Sequence, residues 1–221
     1  MTVQQLICTS ILPLRKTDTV GAALTWMDEF RVSHLPITDG KEYLGLIGDA
    51  ELMDVDDQST MISAFSNRAS RSFILGTEHY YNALQMLFEQ NLSLLPIVAE
   101  NHAYLGVITR EKIINEMAES LSVQNPGGVI ILEMNQNDYS LSEISRIVES
   151  NDAKILSLFI KPASISSKLQ ITLKVNRINI EAIIQSFERF NYEIVGYFGD
   201  NKKDDDLLIE RYESLLTYLK Y

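Results

Sequence analysis

Apolar residues recur at helical spacing in two places in the first half of the chain. Each set follows the i, i+3, i+4, i+7 order that puts four side chains on one face of a helix. The second set lies 60 residues after the first, which indicates a tandem repeat. The sets are Val20, Ala23, Leu24 and Met27, then Tyr80, Ala83, Leu84 and Leu87. Thr17-Asp18 and Thr77-Glu78 are predicted to cap the two helices.

A pair of strands follows each of these helices. The segment from Leu35 to Ile47 reads Leu-Pro-Ile-Thr, a polar turn and Tyr-Leu-Gly-Leu-Ile. The segment from Leu95 to Ile108 reads Leu-Pro-Ile-Val, a polar turn and Tyr-Leu-Gly-Val-Ile. Short apolar runs on both sides of a polar turn are typical of a hairpin. Each repeat is therefore predicted to run helix, strand, turn, strand, helix, with the last helix of the second repeat at residues 111–122.

The second half of the chain has a different pattern, which begins after the helix-breaking sequence Gln124-Asn125-Pro126-Gly127-Gly128. Apolar runs predict strands at 129–134, 155–160, 169–175 and 192–198, and helical stripes lie at 141–148 and 180–187. The order β-α-β-β-α-β is the ferredoxin-like unit, so the fold class is α+β (α/β). A last stripe predicts a C-terminal helix after an acidic turn at 204–206. It consists of Leu208, Tyr212, Leu215 and Leu219.

Charge and motifs exclude several classes of function. The net charge of −11 argues against nucleic acid and anionic membranes as partners, because affinity for phosphate comes from clustered Lys and Arg. No apolar run of about 18 residues predicts a membrane span. The absence of a signal-peptide pattern and the single cysteine, Cys8, favour the cytoplasm. Phosphate-loop, nucleophile-elbow and zinc-protease motifs are absent and the histidines lack metal-ligand spacing, so we expect neither an enzyme nor a metal site.

The duplicated strand motifs, Leu-Pro-aliphatic and aliphatic-Gly-aliphatic-aliphatic, resemble those of a tandem pair of cystathionine β-synthase (CBS) domains. The likeness covers residues 1–122, with repeats at about 11–60 and 71–120. After a linker at 123–128, residues 129–199 resemble an ACT domain, a small effector-binding module of metabolic enzymes, in the order of their elements. The combination is similar to bacterial regulators of the acetoin utilisation protein B type. Residues 200–221 hold the acidic turn and the C-terminal amphipathic helix.

The CBS resemblance implies a nucleotide-binding signature at the end of the second strand of each repeat. In that family it runs from the strand glycine through two aliphatic residues to Thr or Ser, and two residues later to Asp. The hydroxyl and the carboxylate contact ribose. Neither repeat keeps both groups: the two positions hold Gly48 and Glu51 in the first repeat, and Thr109 and Lys112 in the second.

Four residues are the candidates for ligand binding that this resemblance implies. Glu51 can accept hydrogen bonds from ribose hydroxyls, and Thr109 stands at the hydroxyl position. Lys112 accepts no hydrogen bond, but its ammonium can meet a phosphate. His34 stands where the family often has a basic residue near phosphate. Each also has a structural interpretation, in which His34 is a half-buried packing residue, Thr109 is a helix N-cap, and Glu51 and Lys112 are surface charges.

The sequence thus predicts a regulatory homodimer whose CBS pair binds an adenosine-containing effector, either an adenine nucleotide or S-adenosylmethionine, with no covalent cofactor. Two alternatives stay open. The repeats can have lost their site, which leaves a scaffold for dimerisation or for docking to a protein partner. The ACT-like domain can instead bind an amino acid, although its loop at 135–139 lacks the glycine usual in that family.

Overall fold

The computed structural model describes residues 1–162 and 168–199. Two compact units divide the chain, Met1–Glu116 and Met117–Tyr221. The predicted mixed α and β class is confirmed by the helices and sheets of both units. The predicted acidic turn and C-terminal helix lie outside the described residues. The finer division of the sequence, with a linker at 123–128, stays a prediction.

The first unit contains both repeats, and they have the same elements in the same order. The first repeat consists of β1 (Leu14–Arg15), α1 (Val20–Phe30), β2 (His34–Asp39), β3 (Glu42–Gly48) and α2 (Ala50–Met53). The second consists of β4 (Ile74–Leu75), α3 (Tyr80–Glu89), β5 (Leu94–Val98), β6 (Tyr104–Thr109) and α4 (Arg110–Ser120). The predicted helix, hairpin and helix are confirmed in each repeat, and the structure adds a short strand before them.

Each repeat forms a three-stranded sheet, in the order β1-β2-β3 or β4-β5-β6. The short first strand is parallel to the central strand, which is antiparallel to the third. Three of the four residues in each predicted helical stripe are buried, which confirms the face that the pattern predicted. The fourth, Leu24 or Leu84, is only half-buried.

Residues other than the predicted Thr17 and Thr77 cap the two repeat helices. Thr19 caps α1 with its Oγ1, which accepts a backbone N–H at 3.2 Å, and His79 caps α3 with its Nδ1, which accepts one at 3.3 Å. The predicted caps were wrong because the acidic residue before each helix accepts a hydrogen bond within the turn that precedes the helix. Asp18, for example, accepts a backbone N–H there at 2.7 Å.

The segment that precedes each repeat packs on the other repeat, a feature that the sequence reasoning missed. The 3₁₀ turn Val3–Leu6 bonds to the backbone beside β4, and the equivalent turn Ile62–Phe65 bonds to the backbone beside β1. Both turns bury two apolar side chains. Single β-bridges then join Cys8 to Val107 and Ser70 to Leu46. The two repeats are therefore completed by each other's leading segments.

The second unit has the predicted order β-α-β-β-α-β. Its elements are β7 (Gly128–Asn135), α5 (Leu141–Glu149), β8 (Ile155–Pro162), β9 (Lys168–Val175), α6 (Glu181–Arg189) and β10 (Glu193–Phe198). The sheet is antiparallel in the order β10-β7-β9-β8. Ile130, Leu132, Ile171 and Leu173 of the sheet pack with Phe187 of α6 in one buried core. Among the described residues, no helix is both long and apolar enough to cross a bilayer.

Candidate functional site

The four candidate residues lie at two equivalent strand-to-helix corners. In the first repeat, His34 at the start of β2 pairs with Gly48 at the end of β3. In the second, Leu94 at the start of β5 pairs with Thr109 at the end of β6. A helix begins directly after each corner. We call these the first and the second corner.

At the first corner, His34 and Glu51 meet at Gly48. The Oε2 atom of Glu51 accepts the backbone N–H of Gly48 at 3.0 Å. A Cβ on Gly48 would lie 2.7 Å from Glu51 Oε2 and 3.4 Å from the Cδ2 and Nε2 atoms of His34. The missing side chain therefore gives the Glu51 carboxylate the room to fold back onto the strand.

At the second corner, Thr109 Oγ1 accepts the backbone N–H of Lys112 at 3.2 Å, so the hydroxyl caps α4. Lys112 is exposed, and its ammonium is free to move over a range of rotamers. The neighbouring Arg110 donates from Nη2 to Asn91 Oδ1 at 2.7 Å. Thr109 and Lys112 are thus brought together as a helix cap.

Two serines at equivalent positions join the corners, and the sequence reasoning missed both. Ser33 donates its backbone N–H to Ser93 Oγ at 3.1 Å, and Ser93 donates its backbone N–H to His34 Nδ1 at 3.3 Å. The carbonyl oxygens of Ser33 and Ser93 accept the N–H groups of Asp49 and Arg110 at 2.9 and 3.2 Å. The signal in the sequence was the identity of the two serines at an offset of 60 residues.

His34 is half-buried between the corners, and burial lowers the pKa of its imidazole. The negative charges of Asp49 and Glu51 act in the opposite direction, while Arg110 adds to the lowering. Because Nδ1 accepts the N–H of Ser93, the proton of the neutral ring lies on Nε2. The ring therefore favours its neutral form in the folded protein, and its Nε2–H is available as a donor.

The second unit has a separate pocket of about 310 Å³ beside the β7–α5 connection. Its walls carry four carboxylates and one ammonium, those of Glu133, Asp138, Glu143, Glu193 and Lys168. Lys168 Nζ lies 3.0 Å from Glu133 Oε1 and 2.7 Å from Glu193 Oε2. Tyr192 donates its hydroxyl to Glu143 Oε2 at 3.0 Å, and burial together with this bond raises the pKa of Tyr192 to about 12.

Within residues 1–162 and 168–199, no three His, Cys, Asp or Glu side chains are grouped so that they could hold a metal ion.

The corners and hairpin of the second repeat can be compared with known families. Residues 74–119 match the CBS domain. The first repeat has the same elements in the same order and an equivalent corner. The matched residues span the second repeat and end at residue 119.

Other proteins are similar to part of this chain. Inosine-5'-monophosphate dehydrogenase of Methanocaldococcus jannaschii is 18% identical over 149 residues, which cover 66% of this chain and 29% of that enzyme. A CBS domain pair/ACT domain protein from Thermotoga maritima is 19% identical, with a TM-score of 0.49 over 55% of this chain and 99% of that one. CBSX2, solved in complex with AMP, is 17% identical, with a TM-score of 0.46 over 53% and 96%.

Proposed function

We propose that this protein is a regulatory sensor whose CBS pair binds an adenosine-containing ligand and which works as a homodimer without catalysing a reaction. The observation that carries the proposal is the hydrogen-bonded junction of the two corners through Ser33, Ser93 and His34. A ligand that moves one corner must disturb bonds that reach the other. The junction thus supplies the connection between binding and rearrangement that a sensor needs.

Each candidate residue has a distinct role in this proposal. Thr109 Oγ1 keeps its cap and donates its own proton to a ribose hydroxyl, because a hydroxyl is both a donor and an acceptor. Lys112 pairs with a phosphate, and the Nε2–H of His34 donates to another anionic oxygen. In this proposal Glu51 leaves Gly48 and accepts ribose hydroxyls instead. An adenine nucleotide supplies these complementary groups, and S-adenosylmethionine supplies the ribose and a carboxylate but no phosphate.

Signalling then takes the form of a population shift. The state in which Glu51 bonds Gly48 competes with the state in which Glu51 bonds the ligand, and the ligand favours the second. A ligand that prefers one state by about 100-fold changes the ratio of the states by the same factor. The rearranged corner moves the start of α2, and this movement is the signal for the second unit or for a protein partner.

Binding is tested by calorimetric titration with AMP, ADP, ATP and S-adenosylmethionine, and by thermal unfolding with the same compounds. A ligand at about 100 times its dissociation constant stabilises the protein by roughly 2.7 kcal/mol. We expect Lys112→Ala to weaken the binding of phosphate-bearing ligands about tenfold, which corresponds to about 1.4 kcal/mol. Lys41→Ala, in the exposed β2–β3 turn, is the control. The absence of heat with every compound would count against the proposal.

A scaffold without a ligand is the alternative that one observation favours. Glu51 is already bonded to Gly48, so the first corner is satisfied without a ligand. In this alternative the corners only hold the repeats together for dimerisation or docking. Titrations would then show no binding to the natural protein, while the protein would still dimerise.

A second sensing function is favoured by the acidic pocket of the second unit. Four carboxylates face one ammonium there, so the pocket attracts a ligand with a protonated amine, such as an amino acid. Thermal unfolding with the twenty amino acids tests this function. Glu143→Gln should abolish a shift in unfolding temperature that an amino acid causes by binding in the pocket. Glu149→Gln, on the same helix and paired with Lys154, should not abolish it. A shift equal in both variants would contradict this second function.

A further inference from the structure

A cleft of about 480 Å³ opens on the second repeat, where β4 and β5 end side by side. Leu75, Val98 and Leu105 supply its apolar walls, and Gln4 of the leading 3₁₀ turn lines it as well. This end of β5 is four residues from Leu94, so it lies about 13 Å from the second corner. Binding pockets for small molecules measure roughly 300 to 1,000 Å³, and the cleft falls in this range.

Two side chains that stand at the equivalent place in the first repeat are missing from this cleft. In the first repeat, Lys16 follows β1 and pairs with Asp39 at the end of β2, with 2.8 Å between Nζ and Oδ2. Sixty residues later these positions hold Gly76 and Ala99, and both line the cleft. A Cβ on Gly76 would make only ordinary contacts, the nearest with Leu105 Cδ1 at 3.4 Å. The second repeat thus leaves open a place that the first repeat occupies with its own ion pair.

The polar side chains around the cleft supply oxygen acceptors and one negative charge. Glu100 is exposed at the rim and, within residues 1–162 and 168–199, forms no ion pair. Thr77 and Asn101 also line the cleft, and Gln4 Oε1 lies 3.6 Å from where a Cβ on Gly76 would be. The described residues that line the cleft include no Lys, Arg or His. Oxygen acceptors beside apolar walls suit a cation with an aliphatic body, because hydrogen bonds between charged groups are the stronger ones.

We propose that this cleft binds a small aliphatic amine, with its ammonium at the Glu100 carboxylate and its carbon chain along the apolar walls. The first repeat supplies the chemical precedent, because Lys16 is itself a primary amine on an aliphatic chain and lies against a carboxylate. An ammonium has three donors, which the carboxylate of Glu100 and the amide oxygens of Gln4 and Asn101 complement. The site is separate from the corners and does not depend on the proposed adenosine-containing ligand.

The cleft also connects the leading segment to the second repeat. The backbone N–H of Gln4 donates to the Gly76 carbonyl at 3.0 Å, and that of Val3 donates to the Glu78 carbonyl at 2.8 Å. A ligand that bonds both Gln4 and Glu100 therefore holds the leading turn against the second repeat. Because the ligand binds the folded chain, it should raise the unfolding temperature of the first unit as its concentration increases.

Titration of the isotopically labelled full chain with n-butylamine, followed by nuclear magnetic resonance, tests the site. We expect saturable shifts of the amide resonances of Gly76, Ala99 and Glu100. n-Butanol has the same carbon chain without the charge, so it should bind about fivefold more weakly. Shifts that grow in proportion to concentration without saturating, or that appear equally at every exposed carboxylate, would overturn the proposal.

Variants of the cleft give an independent measurement with the same amine. Glu100→Gln should weaken n-butylamine binding about fivefold, because it removes the charge and keeps the shape of the side chain. Glu29→Gln, an equal charge change at an exposed position of α1, should leave the binding unchanged. Gly76→Lys combined with Ala99→Asp rebuilds the ion pair of the first repeat, so this double variant should lose the binding while circular dichroism shows it folded. Unaltered binding in Glu100→Gln or in the folded double variant would overturn the proposal, and Glu100→Gln decides alone if the double variant does not fold.

Discussion

The carboxylate of Glu51 accepts the backbone N–H of Gly48 at 3.0 Å, at the point where β3 gives way to α2. The second corner uses the reverse bond, from the N–H of Lys112 to the Thr109 hydroxyl at 3.2 Å. A capping box contains both bonds at one helix start. Each corner here has one side-chain bond across the same three-residue span, but only the bond at Thr109 caps its helix, because the N-cap of α2 is Asp49 and its side chain makes no cap bond.

Gly48→Thr should release Glu51 from the strand. The new Cβ would lie 2.7 Å from Glu51 Oε2, so the carboxylate must swing away, while the threonine supplies the hydroxyl that Gly48 lacks. We expect a change in stability within about 1 kcal/mol and tighter adenine-nucleotide binding, measured by urea unfolding and calorimetry. Gly48→Ala displaces Glu51 without supplying a hydroxyl and should not strengthen binding. Equal affinity in both variants would contradict a ribose role for this corner.

Thr109→Val should destabilise the first unit by about 1 kcal/mol, because valine keeps the shape of the side chain and removes the oxygen that caps α4. Thr109→Ser retains that oxygen and should recover most of the loss. Urea unfolding monitored by circular dichroism makes the comparison. If valine and serine proved equally stable, the cap would contribute little at this position.

Much of the fold follows from the sequence because local patterns specify it. The stripes of α1 and α3 and the two hairpins predicted their elements, and the buried faces agree. In the second unit, Ser140 caps α5, with Oγ accepting the Glu143 N–H at 3.4 Å. Alternation and helical period reveal which residues share a face, and this information is local.

Contacts between distant segments were harder to predict. Nothing in Val3 and Leu6 indicates that they pack on a strand seventy residues away, and the matching pair Ile62 and Phe65 is too short a pattern to stand out. The candidate site was likewise only partly predictable from the sequence. The resemblance located the corners, but the bond from Glu51 back to Gly48 depends on the space left by a missing side chain.

Stability should depend on pH through His34. Burial lowers the pKa of its imidazole in the folded state, so the unfolded chain binds more protons than the folded one. The stability that neutral His34 contributes is complete above the ordinary pKa of about 6.5, and it is lost as the pH falls through the lower pKa of the folded state. Urea unfolding from pH 8 to pH 5 measures it. His34→Asn keeps an acceptor for the Ser93 N–H and should flatten the dependence of stability on pH. His102→Asn, at an exposed turn, should not.

Leu6→Ala tests the exchange of leading segments between the repeats. Leu6 is 3% exposed, and its turn donates backbone N–H groups to the carbonyls of Gly76 and Glu78 of the second repeat. Removing a buried leucine side chain costs about 2 to 5 kcal/mol, so the variant should unfold at clearly lower urea concentration. Phe65→Ala, at the equivalent position, should show a comparable loss, and Met1→Ala, exposed at the same end, should show none.

Since both segments complete a sheet of the other repeat, either loss should lower the stability of the whole first unit in one transition. Two separate transitions would show that the repeats fold independently and that the exchange does not couple them.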